Sequence, residues 1–273
     1  MLAKVDTVST VTIRRFGYQE AGVNDRQNAR LAEDIAAVDL LGDEAHAPTA
    51  NVRLARRLAG TGIAGVVVAT VFIGLLHLLP TSRVLNPLRS TISEYALLPD
   101  GWMFNAGVLL LSVSSALILL AMLTREMVGS RTWGVRMMLL WCIGLVGLIL
   151  FPKQGLGVDS SLAGRVHWSW TLLAFFSLPI GTCLVCWRHR AVPGRYPRWA
   201  IRLSMVAGGW FLVLTAQTVL SATTPVKAYL IVGLVERALS LTEMIVVVVL
   251  GLWVLQNSGS QGFFVPPVPA ARD

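Results

Sequence analysis

The sequence predicts an all-α polytopic membrane bundle of six transmembrane helices, and three observations carry that prediction. Of its 273 residues, 55% are hydrophobic and 14% charged, against about a quarter charged in soluble domains. Six apolar stretches, near 60–80, 102–123, 132–151, 165–187, 200–221 and 228–255, reach the roughly 20 residues needed to cross a ~30 Å hydrocarbon core. Runs such as Gly65 to Leu76 do not alternate polar with apolar residues, as barrel strands must. Residues 59–255 are thus expected to form the membrane domain, flanked by a polar tail (1–58) and a Gly-, Ser- and Pro-containing C-terminal tail (256–273), each largely disordered.

The 1–58 tail holds eight basic and eight acidic residues, so the net charge of +8 comes from the rest of the chain. Its stretch 25–41 places Leu31, Ile35, Val38 and Leu41 at helical spacing, which suits a short amphipathic helix. An N-terminus in the cytoplasm puts 12 flanking basic residues inside and 5 outside, the bias expected of cytoplasmic flanks. Six spans then return the C-terminus to the same side. The Arg-rich segment between Trp187 and Trp199 is the strongest anchor. A multi-pass protein of the plasma membrane is expected, with the bilayer as partner and no nucleic acid.

The first span is followed by a long connection, Pro80 to Gly101, containing Ser90-Thr-Ile-Ser-Glu-Tyr-Ala96. Thr91 and Glu94 have capping-box spacing, so a short helix over 92–97 is expected, ended by Pro99-Asp100-Gly101. It either caps locally or presents Glu94 and Tyr95 to a pocket. His77 lies near the end of the first span and His167 near the start of the fourth; histidine is costly in lipid and tends to face the bundle. Asp159 precedes the fourth span and has its own reading as a helix cap. In the last span Glu236, Arg237 and Glu243 interrupt an apolar helix. Tyr229, Glu236, Ser240 and Glu243 share one face. Ionisable groups at such depth are candidates for function, or for a buried ion pair that fixes packing. Arg237 needs a partner, and Glu94 is the expected one, the first connection folding down over the bundle to reach it.

The candidate outer pocket therefore comprises His77, Glu94, Tyr95, Asp159, His167, Glu236, Arg237 and Glu243. Cys183 and Cys186 have C-x-x-C spacing but sit, like Cys142, within apolar spans, where small buried side chains are the better reading. No phosphate loop, dinucleotide fingerprint, nucleophile elbow or His-Glu-x-x-His occurs. No cofactor or metal is expected, and an ATP-driven pump is unsupported.

The combination of His77, the 90–96 motif with its Pro-Asp-Gly, Phe151-Pro152, His167 and Gly233-Leu-Val-Glu-Arg237 resembles the bacterial membrane family known as domain of unknown function 998. More distantly it is similar to DRAM- and FRAG-like six-span proteins. The resemblance covers about residues 58–255 and implies a six-helix fold with no assigned activity; the distant relatives imply lipid-related or membrane-organising roles. Three functions follow as expectations. The first is non-enzymatic binding of a lipid or small molecule in an outward-facing polar pocket. The second is a lipid-modifying enzyme using His77, Glu94, Asp159 and His167 as metal ligands or acid–base groups. The third is a b-type haem protein with His77 and His167 as axial ligands.

Overall fold

The structure, a computed structural model, describes residues 50–153, 162–190, 194–223 and 231–259. Among these residues there is no strand. Six long helices run up and down: α1 (Ala50–Leu76), α2 (Gly101–Thr124), α3 (Trp133–Leu150), α4 (Leu162–Trp187), α5 (Tyr196–Thr223) and α6 (Val232–Gly259). Each is long and apolar enough to cross a membrane. The amphipathic stretch at 25–41, Asp159, Tyr229 and residues 260–273 lie outside the described residues; residues 256–259, expected to begin the disordered C-terminal tail, instead continue α6.

One boundary differs from expectation. α1 begins at Ala50 and ends at Leu76, not near 60 and 80, so Arg53, Arg56 and Arg57 lie on the helix rather than before it. Hydropathy registers where a helix becomes apolar, whereas backbone hydrogen bonding carries it on through polar residues. The other five spans match their expected bounds to within about four residues.

In lipid there is no hydrophobic drive between helices, so close packing and interhelical hydrogen bonds hold them. At the α3–α4 seam a Cβ on Gly144 would lie 3.0 Å from the Ala174 Cβ, which is why the backbones approach there. Between α2 and α3, the Ser112 hydroxyl donates to the Cys142 carbonyl at 3.0 Å and the Trp141 indole N–H to the Ser115 hydroxyl at 3.1 Å. α5 is the least buried span, with Met205 and Leu212 about two-thirds exposed (69% and 68%). Such apolar exposure suits a helix that faces lipid.

The α1–α2 connection packs on one end of the bundle, called here the clasp end. It contains two single-turn 3-10 helices, Pro80–Val84 and Ile92–Leu97. Ile92, Glu94 and Tyr95 are buried, and Thr81 donates to the Asp100 carboxylate at 2.6 Å, tying the start of the connection to its finish.

Candidate functional site

Arg237 organises the clasp end. Its Nε donates to His77 Nε2 (2.8 Å), Nη1 to the carbonyls of Ser90 (2.7 Å) and Gly233 (2.8 Å), and Nη2 to the Tyr95 hydroxyl (3.2 Å). All four acceptors are neutral. The guanidinium also lies 5.6 Å from the Tyr95 ring centroid, within cation–π range. His77 Nδ1 bonds the Ile73 carbonyl at 2.9 Å. A carbonyl and a guanidinium leave one arrangement: Nδ1 carries the proton and Nε2 accepts. Both ring nitrogens are thus engaged, and neither is free for a metal or haem iron while the clasp stands.

The expected Arg237–Glu94 pair does not form. Glu94 Oε1 is 2.7 Å from Lys153 Nζ, which also donates to the Thr91 hydroxyl at 2.8 Å. Lys153 follows α3, so this ion pair joins the second connection to the first. The capping box is also absent. Ile92–Leu97 has no side-chain cap bond; the Thr91 hydroxyl donates to the Glu94 carboxylate itself at 3.2 Å. Burial pushes the Glu94 carboxyl up, but the hydrogen bond and charge of Lys153, with bonds from Ser90 and Thr91, outweigh it and hold the group below its ordinary value.

Backbone contacts seat the 92–97 turn on α6. Ile92 N–H donates to Glu236 Oε2 at 3.0 Å, and Leu234 N–H to the Leu88 carbonyl at 3.2 Å. Gly233 makes this possible: an added Cβ would collide with the Ser90 carbonyl and lie 2.7 Å from that of Pro87.

Beneath the turn is a cavity of about 50 Å³. Its wall is mainly apolar, including Phe104, Leu111, Trp141, Leu145 and Phe175. Its polar members are Ser93, Thr171, Glu236 and Ser240. Of the described candidate residues, Glu236 alone lines it.

His167 is buried on α4, with Nδ1 bonded to the Phe151 carbonyl at 2.7 Å and Nε2 without a partner among the described residues. Glu243, two turns beyond Glu236, is fully buried, and neither carboxyl oxygen has a partner among the described residues. It does not line the cavity. His77, Tyr95 and Arg237 therefore form one cluster, Glu94 a second with Lys153, and Glu236 touches the turn that joins them. Among the described residues, no group of three or more His, Cys, Asp or Glu side chains could hold a metal ion.

Sequence reasoning missed Lys153 and the apolar wall. Lys153 had a signal, as a basic residue beside Phe151-Pro152 on the face otherwise poor in positive charge. Trp141 and Leu145 had none, because a cavity-lining apolar residue reads like any other span residue.

A model of the family described as protein of unknown function (DUF998) matches residues 63–253. No curated protein and no solved structure matches the chain.

Proposed function

The chain belongs to the DUF998 family of proteins of unknown function, and from that premise we propose that it is a non-enzymatic, multi-pass membrane protein that seats the polar end of a lipid or other small amphiphile in the cavity beneath the 92–97 turn. One observation carries this reading. A space walled by Phe104, Leu111, Trp141 and Leu145 has a carboxylate, Glu236, at its polar side. Binding sites combine an apolar wall with a few placed polar groups in this way. The distant similarity to DRAM- and FRAG-like proteins, with their lipid-related roles, points the same way by analogy. Arg237 of α6 and His77, just after α1, hold the turn over the cavity through Ser90 and Tyr95, and Glu94 holds it through Lys153.

The test is native mass spectrometry of the full chain extracted from membranes. Wild type is expected to carry a small amphiphile that Leu145→Trp, which fills the cavity, loses. Equal retention by both proteins would place the bound molecule elsewhere and end the reading.

We also propose that both termini are cytoplasmic, so that the clasp end faces outward at the plasma membrane. The basic bias across the connections supports this orientation. In a background lacking Cys142, Cys183 and Cys186, Leu156→Cys should react with an impermeant thiol reagent from outside, and Pro193→Cys only after permeabilisation. The reverse pattern at either position overturns the orientation.

A further inference from the structure

Glu236 and Arg237 are adjacent in the chain but point about 100° apart around α6. Arg237 spends its N–H groups on His77, Ser90, Gly233 and Tyr95, none of which lines the cavity. Glu236 faces the cavity and is 6% exposed. Its Oε2 accepts from Ile92, while its Oε1 makes no hydrogen bond among the described residues. Ser240, one turn further along α6, also lines the cavity, and its hydroxyl has no partner among the described residues. The other two polar members are already engaged: Thr171 donates to the His167 carbonyl and Ser93 contacts the Thr91 hydroxyl. Among the described residues, no Lys, Arg or His lines the wall. Among those residues the cavity thus offers an incoming polar group the free Glu236 carboxyl oxygen and a Ser240 hydroxyl that can accept or donate, and no cation.

A buried carboxyl without its full complement of partners is costly, and a ligand that donates to it removes that cost. An alkyl carboxylate would bring a second acid-type acceptor against the first, where low dielectric magnifies repulsion. We propose that the cavity selects an amphiphile whose polar end donates hydrogen bonds, an amine or a hydroxyl, and rejects the corresponding carboxylate. Glu236 Oε1 and Ser240 Oγ receive the donor, and the first carbons of the alkyl portion lie against Leu111, Trp141 and Leu145. This rests on the cavity being a binding site, as proposed above.

The experiment measures thermal stabilisation of the full chain in detergent by n-hexylamine, n-hexanol and hexanoate, with Leu145→Trp as the reference for partitioning into the micelle. Stabilisation of wild type by hexylamine or hexanol at concentrations about tenfold or more below those needed for hexanoate supports the proposal. In Glu236→Gln, the Gln carbonyl can still accept from Ile92 while its NH₂ adds a donor, so the preference over hexanoate should fall by about tenfold. Ser240→Ala keeps the carboxylate and should weaken hexanol by about threefold; it also reads the site independently if Glu236→Gln fails to fold. Equal stabilisation by all three compounds, abolished by Leu145→Trp, overturns the donor preference and leaves the cavity reading standing. No stabilisation of wild type beyond that of Leu145→Trp overturns both. An unaltered preference in Glu236→Gln, or in Ser240→Ala where the former does not fold, overturns the assigned contacts.

Discussion

Arg237 and three arginines at the other end of the bundle are used in opposite ways. At the end away from the clasp, Arg136, Arg190 and Arg202 lie over the rings of Trp133, Trp187 and Trp199, 4.8, 4.0 and 5.3 Å from the centroids. All three tryptophans are half exposed or more. Nothing in the fold depends on where those guanidinium groups point, and aromatic rings with positive charges suit a membrane rim. At the clasp end one arginine, Arg237, turns inward and joins α1, the 90–95 segment and α6. The difference lies in water. A rim charge stays hydrated; a withdrawn one must find its partners within the protein. The clasp is therefore a site where single changes are expensive, and Arg136, Arg190 and Arg202 are positions where they are cheap.

That contrast can be broken most severely at Gly233. Gly233→Val drives a branched side chain into the Ser90 and Pro87 carbonyls, which cannot yield without lifting the turn off α6. Overpacking of this kind should cost about 3 kcal/mol or more, read from thermal unfolding in detergent. Loss below 1 kcal/mol would mean that the turn is not seated there.

Arg237→Met comes next. It strips donors from His77, Tyr95 and two carbonyls, and a loss of ~3 kcal/mol is expected. A double-mutant cycle sharpens the partner assignment. Arg237→Met with Glu94→Gln should be additive within about 0.5 kcal/mol, whereas Lys153→Met with Glu94→Gln should show coupling above that. The opposite pattern would restore the pairing that the sequence alone suggests.

Acidification provides a smaller effect. Because the folded Glu94 carboxyl sits below its ordinary value of 4.5, its contribution is present above about pH 4.5 and is lost as pH falls below that. Wild type should lose stability with acid in that window more steeply than Glu94→Gln. Parallel profiles would contradict the Lys153 pairing. Smallest of all, Arg190→Gln at the rim should change stability by no more than about 1 kcal/mol; a loss matching that of Arg237→Met would erase the distinction between the two ends.

Spans were legible in the sequence because crossing a bilayer demands length and apolarity, and both are local properties. Glu236 was legible for a related reason: a carboxyl in an apolar run is conspicuous whatever surrounds it. The 92–97 helix was also legible from its turn residues, although it is 3-10 and lacks the capping box. Partner choice was not. Arg237 joins His77 and Tyr95 rather than Glu94 because α1 and the 90–95 segment meet α6 at that height, and helix register in space is not written in any one segment. Likewise the cavity arises where Phe104 of α2, Trp141 and Leu145 of α3 and Phe175 of α4 fail to fill the space among their helices, a property of three elements together.

The most direct test of the cavity claim is anomalous diffraction from crystals soaked in bromohexylamine. The account predicts a bromine peak among Leu111, Trp141 and Leu145, with the amine end at Glu236 and the 92–97 turn closed above it. Bromine peaks confined to the lipid-facing surfaces of the bundle, with the space beneath the turn unchanged, would contradict it.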